Sequence, residues 1–313
     1  ASRCARESRD GPIGYNRSLG AQSLITRYHL PMPELPEVET VRQGLERRVL
    51  GRTITSITIA RPSVIRGDPG RFRRGIEGGR VASLRRKGKT LALELGFADS
   101  RTPSYLLIRL GMTGQLVVAQ RDAALLAHTH IRMALDGGPE ELRYRDPRRF
   151  GMLRYCTARE AEQVFGSLGP DALEMTQAEF ERAIRGRRGA VKSWLMNQQS
   201  LAGLGNIYAD EALFEARIHP ETSAGVVSKP ARSRLYTAIR AVLRHAVELQ
   251  GTSFRDYIDI EGRQGGFEPL LRAYRRTGQP CPRCGAPIRR VIVSGRSSHF
   301  CPRCQRQPSF RRS

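Results

Sequence analysis

Lysine, long apolar runs and C-terminal acid are all scarce in this sequence of 313 residues. No apolar stretch approaches the roughly 18 residues of a bilayer-crossing helix, which excludes a membrane-spanning helix and leads to the expectation of a soluble protein. Only four of the 53 basic residues are lysines, Lys87, Lys89, Lys192 and Lys229, so side-chain amine chemistry has few candidates. After Glu268 there are eleven arginines and no acid. Such a tail beside a metal site reads as a nucleic-acid contact more readily than as a solvated face. The net charge of +23 points to an anionic partner, and the length to two or three domains. Residues 1–31 have neither an apolar signal core nor helical periodicity, so they are not a secretory signal. They are rich in Arg and Ser, as transit peptides are, but Glu7, Asp10 and weak amphipathicity count against that reading. The expectation for residues 1–32 is upstream sequence that is disordered or not part of the native protein.

The stretch that organises the rest is Pro-Glu-Leu-Pro-Glu-Val-Glu at 33–39, directly after Met32. Were translation to start at Met32 and the methionine to be removed, Pro33 would carry a free secondary amine. A terminal amine has a pKa of about 7.7 to 8.0 against about 10.4 for lysine, so an appreciable part is a neutral nucleophile at pH 7. It can attack a sugar carbon and form a Schiff base without first being buried. Glu34 and Glu37 lie beside it and could move protons to a leaving base or a ring oxygen. An ordinary helix start accounts for the same residues: prolines and acids in the first turn, then Val38, Val41, Leu45 and Val49 at helical spacing up to Gly51.

Between residues 53 and 155 the pattern has period two. Residues 54–59, 81–95, 105–118, 131–135 and 142–155 read as strands broken by Gly, Pro and Asp, with no intervening helices, which predicts a β-sandwich or barrel with the leading helix packed on it and Pro33 at its edge. Three places break the pattern. Lys89 lies ahead of the apolar strand 91–95, where an edge lysine that blocks aggregation is the plain reading. Met112 sits in a glycine-flanked turn, Leu-Gly-Met-Thr-Gly at 110–114. Pro147 and Gly151 bracket Arg148, Arg149 and Phe150, which make either a solvated loop with one anchoring aromatic or a wedge for a kinked duplex. Past Thr157 the spacing becomes helical, over 179–185, 191–199, 207–215 and 231–250. The glycine-rich turn 200–206 opens the third of these with Asn206 near the cap, and Lys192 could reach an anion held there. The glycines of 252–270 predict a flexible linker or lid. Cys281, Cys284, Cys301 and Cys304 have the spacing C-x2-C-x16-C-x2-C, which predicts a tetrahedral Cys4 zinc ribbon with Arg296 on the turn between its knuckles. Cys4 and Cys156 have no partner in that pattern.

In this order, the motif at 33–39, the turn at 110–114, Asp-Pro-Arg-Arg-Phe-Gly at 146–151, Gly-Leu-Gly-Asn-Ile-Tyr at 203–208 and the Cys4 ribbon with its arginine resemble the formamidopyrimidine-DNA glycosylases over residues 33–307. The resemblance implies an α+β fold: an N-terminal helix on a β-sandwich (33–157), a helical helix-two-turns-helix domain (158–270) and a zinc finger (273–307). It implies a monomeric base-excision repair enzyme of the bacterial cytoplasm that removes oxidised purines from double-stranded DNA and cleaves the abasic site, with one structural zinc per chain. Pro33 would be the Schiff-base nucleophile, Glu34 the acid, Lys89 a phosphate-contacting proton carrier, and Arg296 a phosphate grip linked to the last elimination. Met112, Arg148 and Phe150 would fill the vacated stack. His128, Arg187 or Arg188, Lys192 and Asn206 would contact phosphates, and the segment 262–267 would close over the flipped purine. Two departures stand out. The extension would turn Pro33 into an amide, and arginine replaces much of the lysine usual in relatives. The alternatives are an endonuclease VIII-type enzyme for oxidised pyrimidines and, with Pro33 blocked, a non-catalytic damaged-DNA-binding protein.

Overall fold

The computed structural model describes residues 33–254 and 256–307, with backbone alone at 100 and 101. The expectation for residues 1–32, Cys4 included, lies outside the described residues. Helix α1 (Leu35–Arg48) turns Val38, Val41 and Leu45, followed by Val49, into the core, all at most 1% exposed. Its apolar stripe lies against a sandwich of two four-stranded antiparallel sheets. One has the order β1 (Ile54–Ile59), β6 (Thr129–Leu135), β7 (Glu140–Arg145), β5 (Gln115–Gln120); the other runs β2 (Arg80–Lys87), β3 (Thr90–Phe97), β4 (Ser100–Arg109), β8 (Met152–Thr157). Both inner faces and α1 share one core that includes Leu93, Leu106, Met133 and Tyr144.

Several strand and helix expectations change. The run 81–95 is a hairpin that reverses at Gly88, and 105–118 and 142–155 are each split by a loop. The reversals fall where the alternation breaks, at Lys89, at the 110–114 turn and at 147–151. Helix α2 (Pro69–Ile76) interrupts the strands; Asp68 caps it by accepting from the Arg71 N–H at 2.6 Å, and it buries Phe72 and Ile76. A single turn of apolar residues among glycines and arginines has too little periodicity to betray it. Helix α3 (Ala158–Gly166) starts on a Thr157/Glu160 capping box and covers the outer face of the second sheet through Ala161 and Phe165.

Helices α4 (Gln177–Ile184), α5 (Val191–Met196), α6 (Asn206–Ala216) and α7 (Lys229–Glu248) enclose a second core around Phe180, Trp194, Leu213 and Leu243, to which Leu35 of α1 also belongs. Helix α5 ends at Met196, short of the predicted 199, and the chain turns through 197–205 into α6. The stretch 252–270, expected to be a free loop, is docked. Tyr257, Ile260 and Phe267 are buried, Ile260 accepts from the Val118 N–H at 3.0 Å, and a side chain at Gly44 would stand 2.7 Å from Ile260 Cγ1. Apolar anchors between the glycines hold it, leaving residues 261–264 and 266 exposed. The last unit is the ribbon around the hairpin β9 (Arg289–Val293) and β10 (Arg296–Phe300), in which Cys281, Ile288 and Cys301, flanking the hairpin, pack with Phe214 of α6.

Candidate active site and nucleic-acid interface

The first turn of α1 places Pro33 and Glu34. Leu35 anchors α1 in the helical core and its N–H bonds the Gly203 carbonyl at 3.1 Å, so the residues ahead of it are carried to the start of α6. There the Glu34 carboxylate accepts from the backbone N–H groups of Gly205 at 2.6 Å, Ile207 at 2.9 Å and Tyr208 at 3.5 Å. A helix N-terminus stabilises a carboxylate in this way. Burial is the larger influence and raises the Glu34 pKa, against the Lys89 charge and these donors. Gly205 makes the contact possible: a Cβ there would lie 2.5 Å from Glu34 Oε1 and 2.6 Å from Lys89 Nζ.

Glu37 supports its neighbour. It accepts from the Glu34 N–H at 2.8 Å, the Tyr208 hydroxyl at 2.6 Å and the Thr252 N–H at 2.7 Å, and burial pushes its pKa up to about 7. Burial also depresses the Lys89 ammonium, an effect Arg296 adds to and Glu34 and Glu37 oppose. Pro33, Lys89, Thr90, Arg109 and Gly111 line one cavity of about 480 Å³ that reaches Phe150 and Gln198. Pro33 and the half-buried Lys89 ammonium thus line a space large enough for a sugar and its phosphates, with the buried Glu34 carboxyl beside Lys89.

Two loops form one edge of that cavity. Gly111, at φ +64°, lets the 110–114 turn lie against the next loop; a Cβ there would be 2.5 Å from both Phe150 C and Gly151 N. Asp146, fully buried, ties them together. Its carboxylate accepts from the Thr113 hydroxyl at 2.5 Å, the Gly151 N–H at 2.8 Å and the Tyr144 hydroxyl at 3.1 Å, and Thr113 Oγ1 in turn accepts from the Arg148 N–H at 3.1 Å. Phe150 is 58% exposed, with the Arg148 guanidinium 4.6 Å from its ring centroid. The ring is thus presented to solvent beside a cation, on a loop fixed by Asp146. His128, exposed at φ 68°, bonds its carbonyl to the Asp146 N–H at 3.1 Å and so belongs to the same edge.

The four ribbon cysteines converge, with all sulfurs within 4.8 Å of one another and the pairs Cys281/Cys304 and Cys284/Cys301 at 4.0 and 3.4 Å. Zn–S bonds of about 2.3 Å in a tetrahedron separate sulfurs by about 3.8 Å, so the donor set fits a zinc ion. The Arg283 and Cys304 N–H groups point at Cys281 and Cys301 sulfur, each at 3.4 Å, as zinc knuckles require. Arg296 leaves the ribbon at the exposed start of β10, near enough to Lys89 and Lys192 to disfavour their charges.

Family models match three segments: the formamidopyrimidine-DNA glycosylase N-terminal domain over 32–153, the H2TH domain of the same family over 168–257, and a zinc finger found in FPG and IleRS over 278–307. A formamidopyrimidine-DNA glycosylase of Heliobacterium modesticaldum is 44% identical over 283 residues, covering 88% of this chain and 100% of that protein. The chain belongs to the formamidopyrimidine-DNA glycosylases. Another member, from Desulforamulus reducens, is 43% identical and covers 88% of this chain and 99% of its own. Among solved structures, the Lactococcus lactis Fpg in complex with DNA containing an abasic site has a TM-score of 0.80 and 34% identity over 88% of this chain and 100% of its own. The same figures hold for the wild-type enzyme with DNA containing N7-benzyl-Fapy-dG.

Set in that family, the structure brings Pro33, Glu34 and Lys89 together with Arg296 nearby, and places Met112, Arg148, Phe150 and His128 along one edge. Arg187 and Arg188 are both exposed on the turn after α4, and Asn206 is the first residue of α6. Lys192 does not face the backbone path expected of it. Its side chain is 0% exposed, paired with Asp210 at 2.6 Å and donating to the Ser297 carbonyl at 2.7 Å, so it reaches no phosphate directly. Sequence proximity to the glycine turn suggested an anion, but its partner is an acid one helix further on. Asp146, Tyr208, Asp210 and Glu211 are buried polar partners whose roles the sequence does not reveal. Tyr208 and Asp146 lie inside the family motifs, where only a buried partner distinguishes them. Among the described residues no helix is long and apolar enough to cross a membrane.

Proposed function

We propose that this chain is a bifunctional DNA glycosylase and abasic-site lyase that removes oxidised purines, 8-oxoguanine and formamidopyrimidines, from duplex DNA in base-excision repair. The observation that carries the reading is the buried Glu34 carboxyl, its pKa raised, sharing the site with Pro33 and Lys89. In a chain that begins at Pro33, the proline nitrogen lone pair attacks the anomeric carbon of the flipped nucleotide. The glycosidic bond breaks, and Glu34 supplies the proton that the departing base or the opening ring takes. The iminium acidifies the neighbouring C–H bonds. Loss of the C2′ proton expels the 3′-phosphate, and a second loss, at C4′, expels the 5′-phosphate. Lys89 and Arg296 hold the flanking phosphates, Arg296 serving the last elimination, while Met112, Arg148 and Phe150 fill the stack. Asn206, His128 and the Arg187–Arg188 turn line the backbone path, and 262–267 covers the extruded purine.

One zinc per chain on Cys281, Cys284, Cys301 and Cys304 would order the hairpin that carries Arg296, a structural rather than chemical contribution. Metal analysis of active protein returning no zinc would refute it. The bacterial relatives and a DNA substrate support the bacterial cytoplasm as the place of action. The test of the function is a duplex with a single 8-oxoguanine. Expected are free oxidised base and a one-nucleotide gap with phosphate at both ends. Preferential cutting at oxidised pyrimidines, or binding without cutting by protein that begins at Pro33, would contradict it.

A further inference from the structure

Helix α6 carries four buried grips within about two turns. Its first N–H groups hold Glu34 and the Tyr208 hydroxyl holds Glu37. Asp210 and Glu211 then hold the C-terminal unit. Glu211 accepts from the N–H groups of Arg272 at 2.9 Å, Ala273 at 2.9 Å and Tyr274 at 2.8 Å. Asp210, 1% exposed, accepts from the His299 N–H at 2.8 Å through Oδ2, which also faces His299 Nδ1 at 2.9 Å, while Oδ1 pairs with Lys192. Lys192 donates to the Ser297 carbonyl, and Ser193 next to it bonds Ser294 at 2.7 Å between the hydroxyls. The chain on both sides of Arg296 is therefore tied to α5 and α6, by the Ser294 hydroxyl before it and by the Ser297 carbonyl and His299 N–H after it, although Arg296 itself is exposed.

The ion pair is a poor choice for stability alone, because apolar side chains of the same volume commonly serve as well or better in a core. What it adds is direction: a carboxylate and an ammonium together fix two backbone positions of β10. The hairpin has so little core of its own that these bonds decide where it sits. From Gly205, which holds Glu34, to Asp210 is about 7 Å along one rigid helix.

We propose that Asp210, with Lys192 behind it, is a positioning residue for the lyase half of the reaction: by fixing β10 against α6 it sets the place of Arg296 relative to Glu34 and Lys89, and thereby the share of β-elimination product that goes on to δ-elimination. This rests on the assignment of Arg296 above. Glu34 is held by the first N–H groups of α6, so base release does not depend on Asp210.

The experiment measures single-turnover product partition on abasic duplex in chains beginning at Pro33: the unaltered protein, Asp210→Asn, Arg296→Ala and the double variant, each with zinc content and thermal unfolding measured. If Asp210→Asn fails to fold because Lys192 is left unpaired, Asp210→Asn/Lys192→Met removes the stranded charge and takes its place, alone and combined with Arg296→Ala. Asp210→Asn is expected to keep zinc and borohydride-trappable Schiff base while the ratio of δ- to β-product falls about tenfold, the loss of one hydrogen bond to a charged group. Arg296→Ala should give a similar fall, and the combination no further one. An unchanged ratio, an equal slowing of trapping and both eliminations, or full additivity with Arg296→Ala overturns the proposal. Unaltered protein that neither traps nor cuts would instead refute the function on which it rests.

Discussion

A carboxyl enclosed by donors and shut off from solvent is under opposed forces, and at Glu37 burial wins over the bonds from Tyr208, Thr252 and the Glu34 N–H, with the Glu34 charge adding to the rise. Its pKa of about 7 in the folded protein lies above the ordinary 4.5. The native state therefore binds the proton more tightly than the unfolded chain, and stability falls as pH rises from about 4.5 through 7. This residue should account for about 2 kcal/mol of stability lost between pH 5 and pH 8. Glu37→Gln should remove that part of the difference in urea unfolding, and an identical pH difference in both proteins would contradict the assignment. At this scale the sequence was readable where chemistry is contiguous. Pro33, Glu34 and Glu37 stand within five positions, and the cysteine spacing announces its own geometry. Asp146, Asp210 and Glu211 were not readable, because a buried acid is written like a surface one and becomes distinctive only beside Thr113, Lys192 or the 272–274 backbone.

Among the elements, the loops at 110–114 and 146–151 behave as one part because Asp146 bonds both and Gly111 lets them touch. Phe150→Ala leaves those bonds in place and removes only the exposed ring. It should therefore slow excision from an 8-oxoguanine duplex by tenfold or more, on the order of the few kcal/mol of unstacking it replaces, and slow cleavage at a ready-made abasic site far less. Single-turnover rates on the two substrates check this; equal losses would make Phe150 a support for its loop. The strands between 53 and 155 were legible from their alternation as a sandwich or barrel, and the family resemblance chose the sandwich, yet α2 was not legible, since Phe72 and Ile76 alone carry its buried face. The stretch 252–270 misled for the opposite reason. Its glycines advertise freedom, and Tyr257, Ile260 and Phe267 take most of it away.

In the whole molecule, α1 is shared between two cores, Leu35 in the helical one and Val38, Val41 and Leu45 in the sandwich. Arg86, its side chain 1% exposed, braces the same junction between Glu39 at 2.8 Å and Asp171 at 2.5 Å, and Asp171 also takes the Gly88 N–H, one residue from Lys89, at 2.7 Å. The site exists because the start of α1, the β2–β3 hairpin and the start of α6 are held at one point. All of this converges on the Pro33 nitrogen, which is a nucleophile only as an amine, since an amide lone pair is delocalised into the carbonyl. The most direct measurement is borohydride trapping on 8-oxoguanine duplex, with mass spectrometry of the cross-linked peptide, comparing protein that begins at Pro33 with protein that retains Ala1. The account predicts a covalent adduct on Pro33 in the first and none in the second. Efficient trapping by the longer protein, with the adduct on Lys89 or another lysine, would contradict it.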